Sequence, residues 1–373
     1  EIGVPYPWAK YYSVCVQGYP YGGMENTSMT TLTTRTLFTD ASENIRSSRG
    51  LDAHEIAHQW FGDLVTCKDW THLWLNEGFA TYYTALYEGH KYGRDHLLYG
   101  MYGNAESVLR QNDERPIAWR EYENPWDQFD YRAYPKGSWI LHMLRSQVGE
   151  ELYREAIRTY LERHEYDVAV TSDLNAAFED VTGQNWDRFF DQWVYHGGTP
   201  KLNVSYGWDA KRKQAKLTIS QTQKLSDQVL LFHFPLPVRF HFKEGPTHEF
   251  TIDISEKSED FYFDLPTQPT AVRVDPEFTI LTSVDLKVPN PMVDAQVKLE
   301  EDMMGRLLAV RMLGKRKDAA SRKLIAERLT SDAFYGVRME AAQALADRGT
   351  EEDLTTLIES LEQDDARVRQ KVV

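Results

Sequence analysis

The sequence is poor in cysteine, in long apolar runs and in positive charge. Its 373 residues include only Cys15 and Cys67, too few for a disulfide framework, which favours buried free thiols in a reducing, cytoplasmic setting. No run reaches the roughly 18 apolar residues that a membrane-spanning helix needs. The net charge is −15, from 42 basic and 57 acidic residues, whereas nucleic-acid binding needs a basic surface. These absences argue against a disulfide-stapled module, a helical membrane protein and a nucleic-acid-binding protein.

Changes in residue periodicity predict three domains. Residues 1–199 combine short β-like runs with long helical patterns. Residues 200–288 change to a period of two, as at Leu202, Val204 and Tyr206, which is typical of a small β-sandwich. Residues 289–373 are helical again, and the pattern Arg306-x-x-Ala309 recurs 32 residues later, which indicates the beginning of a HEAT-like repeat domain. The expected fold class is therefore a multidomain α+β protein.

Helices dominate the predicted first domain. A short strand is expected at 11–17, a turn at Gly22-Gly23, and strand or extended loop at 27–39. Ser172-Asp173 is expected to cap a helix, and His196 to Pro200 to end the helical part. The predicted helices cover residues 44–62, 73–92, 94–111, 135–148, 150–165, 173–181 and 186–195.

One motif carries most of the functional information. Residues 54–58 read His-Glu-Ile-Ala-His, and Glu77 follows the second histidine after an 18-residue gap. Since a helix repeats every 3.6 residues, His54 and His58 lie on one side of it and can share a Zn²⁺ ion. Glu77, from a second helix, would be the third ligand, and a fourth position would remain for water, as catalytic zinc requires. Glu55 would then act as general base.

The residues around the motif argue against a chance match. A helix that carries His and Glu can simply expose these side chains to solvent, and the motif His-Glu-x-x-His can occur by chance. Here the flanks are apolar and aromatic, including Trp60, Phe61 and Trp74. Such helices are buried, and buried histidine and glutamate need partners. We therefore expect one zinc ion per chain.

Two further motifs carry a family resemblance. Gly22-Gly23-Met24-Glu25-Asn26 stands 29 residues before the zinc motif, counted from Glu25 to His54, and Tyr134-Pro135-Lys136-Gly137 follows it. Together with the zinc motif, these runs resemble the zinc aminopeptidases of the aminopeptidase N family, in the gluzincin clan. The resemblance covers almost the whole chain. It implies a thermolysin-like, mainly helical catalytic domain followed by a β-domain and helical repeats.

The resemblance also implies roles for single residues. Glu25 is expected to bind the free α-amine of a peptide, with Gly22, Gly23 and Met24 lying along the substrate. Tyr134 is expected to donate a hydrogen bond to the oxyanion, with Tyr131 as the nearby competitor. The expected partners are peptides with a free N-terminus, and the oligomeric state is left open.

The chain departs from the family pattern in two places. The family commonly has an acid seven residues after the zinc glutamate, where this chain has Thr84. We therefore expect another partner for the first zinc histidine, such as Glu88, or weaker zinc binding. The chain also opens at Glu1, on a run that resembles the middle of the family's catalytic domain. A fragment that lacks the N-terminal β-domain, and that stops within the helical repeats, is the expectation.

Three functions are compatible with these features. The first is an aminopeptidase that removes single N-terminal residues by means of zinc-activated water. The second is the branch of the family that opens a lipid epoxide and retains peptidase activity, because its zinc motif is similar. The third is a non-catalytic scaffold of this fold, which is disfavoured because the ligands and the base are all present.

Overall fold

A computed structural model describes residues 2–111 and 114–373. It begins with a three-stranded sheet of β1 (Tyr12–Val16), β2 (Gly23–Met24) and β3 (Met29–Thr33), in the order β1-β3-β2. β1 runs parallel to β3, and β2 runs antiparallel to it. The Gly22-Gly23 turn prediction is therefore wrong for Gly23, which belongs to a strand. Because β2 is paired on one side only, it presents a free edge.

Helices form most of the remainder of the first part. They surround a parallel pair of short strands, β4 (Val65–Cys67) and β5 (Asp167–Ala169). The four helices predicted from residue 73 to residue 165 are confirmed to within a few residues. The helices are α1 (Arg49–Ala57), α2 (Trp74–Tyr92), α3 (Arg94–Leu109), α4 (Gly137–Val148), α5 (Glu150–His164), α6 (Thr171–Thr182) and α7 (Asp187–Phe190).

Three predicted helices need correction. The zinc helix is shorter than 44–62, because after Ala57 the amides of Gln59 and Trp60 bond three residues back and tighten the chain into turns. Asp173 is not an N-cap, since it lies in the third position of α6 and accepts a hydrogen bond from the Val170 amide. The helix predicted at 186–195 is divided between α7 and a π-helical turn at Asp191–Tyr195.

Residues 200–288 form two mainly antiparallel sheets that pack face to face. One has the order β10-β7-β6-β12 and the other β11-β8-β9. Side chains such as Leu217, Ile219 and Val238 alternate with more exposed neighbours and fill the space between the sheets. The strands are β6 (Lys201–Asp209), β7 (Gln214–Gln221), β8 (Phe234–His241), β9 (His248–Ile254), β10 (Ser258–Asp264), β11 (Ala271–Val274) and β12 (Ser283–Lys287).

The remaining residues form packed helices with a second hydrophobic core. Buried ion pairs such as Arg306–Asp332 tie neighbouring helices together. The first core runs through both the first part and the two sheets, so the proposed division at 199 and 288 stays a prediction. The helices are α8 (Asn290–Gln296), α9 (Met303–Gly314), α10 (Ala319–Ser331), α11 (Tyr335–Arg348), α12 (Glu351–Glu359) and α13 (Ala366–Val372).

Two further features can be compared with the sequence analysis, namely the state of the cysteines and the length and apolar character of the helices. Cys15 and Cys67 are free thiols, as predicted, but Cys15 is exposed on β1 rather than buried, and Cys67 is half-buried. Among residues 2–111 and 114–373, none of the helices combines the length and the apolar character that a bilayer span requires.

Two glycines bring the functional motifs into backbone contact. Gly78 follows Glu77 on α2, and Gly137 closes the π-helical turn Arg132–Lys136 that carries Tyr134. A Cβ on Gly78 would lie 2.9 Å from Gly137 Cα, closer than side chains tolerate. The missing side chains therefore allow α2 and this turn to touch, which sets the separation between Glu77 and Tyr134.

We predict that Gly78→Ala destabilises the protein by about 1–3 kcal/mol, because the added methyl group must push two backbones apart. Gly103→Ala, in α3, is the matched control, since a Cβ there meets nothing within 4 Å. It should stabilise by about 0.5–1 kcal/mol through helix propensity alone. Thermal unfolding monitored by circular dichroism measures both. Equal behaviour of the two variants would contradict the contact argument.

Candidate metal centre and active site

Three side chains converge between α1 and α2. His54 Nε2 lies 3.1 Å from His58 Nε2, and each of these nitrogens lies 3.2 Å from Glu77 Oε2. Zinc bonds of about 2.0–2.1 Å in a tetrahedral site place ligand atoms roughly 3.3 Å apart. The donor triangle therefore fits one zinc ion, and in the described part of the chain it is the one group of His, Cys, Asp and Glu that meets such a test.

The packing around His58 holds this triangle in place. His58 is buried, and its Nδ1 lies 2.8 Å from the Phe61 carbonyl oxygen, which directs Nε2 at Glu77. Phe61 in turn stacks on Phe79 of α2, with ring centroids 4.2 Å apart and an angle of 10°. The same aromatic contact that joins the two helices therefore orients the second histidine.

The charges of the cluster depend on one another. Burial acts to raise the pKa of Glu77, but hydrogen bonds from His54 and His58 hold it well below its usual range. Burial acts to lower the pKa of His58. The hydrogen bond to Glu77 and the negative charge of Glu77 outweigh the effect of burial and raise this pKa to about 10. Burial lowers the pKa of His54. A dication bound here would take the place of the shared proton.

Glu55 points to a different side of α1 from the two histidines. Its carboxyl group occupies the space that a side chain on Gly23 would fill, so it faces the free edge strand β2. Burial raises the pKa of Glu55 to about 8, and Glu25 and Glu77 add to this while His58 opposes it. A bound cation would favour the charged carboxylate. Glu55 can therefore touch a substrate on β2 without being a metal ligand.

Tyr134 stands beside the cluster, and its preference over Tyr131 as the hydrogen-bond donor stays a prediction. The Tyr134 ring stacks on His54, with centroids 6.1 Å apart and an angle of 12°. Burial and the Glu77 charge both raise its pKa, which keeps the phenol protonated and able to donate. Tyr131 is half-buried against the hydrophobic core. Lys136 supports the turn by donating from Nζ to the Gly198 carbonyl oxygen, at 3.1 Å.

Glu25 is joined to the metal-site helix by a residue that the sequence analysis missed. Gln59 is fully buried, and its Nε2 donates to the Glu25 carbonyl oxygen at 2.9 Å. Its Oε1 accepts from the Ser28 amide at 2.7 Å. The sequence signal was a polar amide directly after His58 among apolar neighbours, since a buried amide must be paired. Gln59 therefore fixes the Glu25 loop relative to the metal ligands.

Aromatic side chains form a wall next to this loop. Tyr21 stacks on Trp126 with centroids 5.9 Å apart, and Trp126 contacts Phe129 at 5.0 Å. Tyr19 contacts Tyr21 edge-on with centroids 6.0 Å apart, and burial together with the charges of Glu55 and Glu25 raises the pKa of Tyr19. The sequence analysis named none of these residues. About 100 residues separate Tyr21 from Trp126, and no local pattern connects them.

A cavity of about 570 Å³ is lined by none of the predicted site residues. It lies between the N-terminal segment, α1 and α2, and apolar side chains such as Val4, Ile56 and Trp60 line it. Cavity volume alone therefore does not identify the functional site, since the polar side chains that converge lie outside this cavity.

The geometry defines the class of the site before any comparison is made. Two histidines and a glutamate can hold one metal ion and leave a position for water, with a carboxylate and a phenol beside them, and this is a mononuclear metallohydrolase arrangement. The family model for the peptidase family M1 domain matches residues 1–193, and a model for HEAT repeats matches residues 297–373. The chain belongs to peptidase family M1, whose members are zinc metallopeptidases.

Individual relatives agree with this assignment. Aminopeptidase M1-A of Oryza sativa subsp. japonica is 33% identical over 234 residues, which are 60% of this chain and 26% of that protein. Tricorn protease-interacting factor F2 of Thermoplasma acidophilum is 34% identical over 215 residues, which are 54% of this chain and 27% of that protein. The chain thus spans about a quarter of the length of the curated relatives it matches.

A solved structure supports the fold. The crystal structure of Legionella pneumophila aminopeptidase A in complex with aspartic acid superposes with a TM-score of 0.74 at 19% identity. The match covers 96% of this chain and 42% of that one. At this level of identity the likeness shows a shared fold, and it includes the sheets and helices on both sides of the metal cluster.

We predict that zinc content separates ligands from the neighbouring acid. His54→Ala, His58→Ala and Glu77→Ala should each lose the metal, because two remaining donors hold it poorly. Glu55→Gln should keep about one zinc per chain, since its carboxyl faces β2. Elemental analysis after dialysis against metal-free buffer is the measurement. Full occupancy in any of the three alanine variants would remove that residue from the ligand set.

Proposed function

We propose that this chain is the catalytic part of a zinc-dependent aminopeptidase, which hydrolyses the N-terminal residue from peptides and holds one Zn²⁺ ion. The donor triangle of His54, His58 and Glu77 carries the proposal, because Glu55 and Glu25 flank it on the side of the free strand edge. The family assignment and the names of the relatives support the reaction class. We also propose a cytoplasmic setting, since both cysteines are free thiols.

The proposed chemistry uses residues from four segments. Zinc, when bound by His54, His58 and Glu77, supplies a Lewis acid for the scissile carbonyl and lowers the pKa of water. Glu55 takes the proton of the attacking water and passes it to the leaving amine. Its burial makes it a stronger base than an exposed carboxylate. Tyr134 donates its hydroxyl proton in a hydrogen bond to the developing oxyanion.

Glu25 supplies the preference for a free N-terminus. The peptide is proposed to lie along the free edge of β2, where Gly22, Gly23 and Met24 leave the backbone accessible. At the end of this strand Glu25 would bind the α-ammonium group by charge-assisted hydrogen bonds. Gln59 anchors the Glu25 backbone, so the ammonium is held at a set distance from the metal. Mid-chain peptides lack the ammonium and would bind less well.

The other two functions rest on fewer observations. A scaffold would tolerate loss of a ligand or of the base, yet the chain retains every one of them. The lipid-epoxide hydrolase branch shares the same metal motif, and the aromatic wall of Tyr21, Trp126 and Phe129 offers apolar surface to a lipid as well as to a peptide. Peptide and epoxide substrates assayed side by side separate these two.

The test of the proposed function is turnover of a panel of aminoacyl-coumarin substrates. Wild-type protein loaded with zinc should hydrolyse some of them, and Glu55→Gln should lower kcat by roughly 10²–10⁴-fold because it removes the base and keeps the metal. Glu155→Gln, at an exposed carboxylate of α5, is the matched control and should retain full activity. A Glu55→Gln variant with more than a tenth of wild-type kcat would sink the assignment of the base.

The role of Glu25 predicts a loss of discrimination. Glu25→Gln should raise KM for free-amine peptides by roughly 10–100-fold, because a charge-assisted bond is worth about 1.5–3 kcal/mol. The N-acetylated form of each peptide is the control, since it carries no ammonium. The ratio of kcat/KM for free and acetylated peptides should fall toward one. If the wild-type ratio persists in the variant, the amine is recognised by another group.

A further inference from the structure

The two histidines of the metal cluster are supported unequally. His58 has both ring nitrogens engaged, since Nδ1 meets the Phe61 carbonyl and Nε2 faces the cluster. Within residues 2–111 and 114–373, all hydrogen bonds of His54 run through Nε2, to Glu77 and His58. A histidine that ligates a metal through one nitrogen needs an acceptor at the other to orient the ring. His54 therefore requires an acceptor at Nδ1 that the described residues do not supply by a direct hydrogen bond.

His54 also lines a cavity of about 370 Å³ between α1, α2 and α3. A single water needs roughly 10–15 Å³ of such space, so several fit. Two hydrogen-bond donors on its wall, the Thr84 hydroxyl and the Asn104 side-chain NH2 group, are already engaged. Thr84 Oγ1 donates to the Ala80 carbonyl at 2.9 Å, and Asn104 Nδ2 donates to Ser138 at 3.2 Å. Neither of these bonds reaches His54.

Glu88 is the one carboxylate among the described residues that line this cavity. It stands one helical turn after Thr84 on α2, so both side chains face the same space. His96 Nε2 lies 3.7 Å from its Oε2, too far for a direct hydrogen bond, and Tyr335 lies 3.4 Å from His96 Nδ1. Burial raises the pKa of Glu88, as expected of a carboxyl without a close cation. Its oxygens are thus available to water in the cavity.

We propose that Glu88 orients His54 through water held in this cavity, and so sets how tightly the chain holds zinc. Glu88 is a positioning residue in this role, because it acts on a ligand and touches neither metal nor substrate. The proposal rests on the proposed function in one respect, the binding of zinc by His54. It explains how His54 can be oriented although the Thr84 hydroxyl donates to its own helix.

Zinc affinity of the whole chain, measured by competition with a chromogenic chelator, tests this without any assay of activity. Glu88→Gln should weaken zinc binding by roughly 10–100-fold, the range that outer partners of a ligand contribute. Adding Thr84→Glu to Glu88→Gln should restore much of the loss, because it returns a carboxylate to the same cavity. Glu155→Gln on α5 is the control and should bind zinc as the wild type does.

Each outcome bears on one proposal only. Zinc binding by Glu88→Gln within twofold of wild type would overturn the role of Glu88. A loss in Glu88→Ala that Glu88→Gln does not share would also overturn it, since packing and not charge would then be responsible. The absorption spectrum of cobalt-loaded protein should shift in Glu88→Gln if His54 turns. Failure of the wild type to bind zinc would instead refute the proposed function.

Discussion

The packing of α1 against α2 is the contact on which the site depends. Neither helix can hold a metal alone, because His54 and His58 lie on one and Glu77 on the other. The stacked rings of Phe61 and Phe79 join the helices in the core, and close-packed aromatic contacts of this kind leave little freedom for sliding. The distances of 3.1–3.2 Å among the three donors follow from that packing.

Two devices extend this arrangement to the substrate side. The backbone contact between Gly78 and Gly137 brings Tyr134 to the cluster, and the buried amide of Gln59 brings the Glu25 loop to the end of α1. Both act at close range on main-chain atoms, so they position a whole segment rather than one side chain. The donor cluster, Glu55, Tyr134 and the Glu25 loop are therefore tied together by close contacts, which suits the proposed catalysis by preorganised groups.

Two buried acidic groups of the site have opposite pKa shifts, although burial acts to raise the pKa of both. Glu77 stays ionised because two histidines donate to it, whereas Glu55 has no such donors and its pKa rises. One carboxylate is thereby suited to ligation and the other to proton transfer, although they stand on two helices that pack together. Beside the cavity that His54 lines, Glu88 Oε2 lies 3.7 Å from His96 Nε2, and His96 Nδ1 lies 3.4 Å from the Tyr335 hydroxyl of α11.

The sequence alone predicted the candidate metal site, because the spacing of His54, Glu55 and His58 places the two histidines on one side of a helix whatever the tertiary context. It also predicted the period-two strands of the sandwich and the long helix α2. It did not predict where α1 begins and ends, because tight turns in the chain shorten that helix. It also did not predict the strand at Gly23. Only the tertiary structure revealed the contacts of Gln59, Tyr21 and Trp126 and the cavity beside Glu88. Their roles come from contacts between segments that are distant along the chain, and local periodicity carries no information about such contacts.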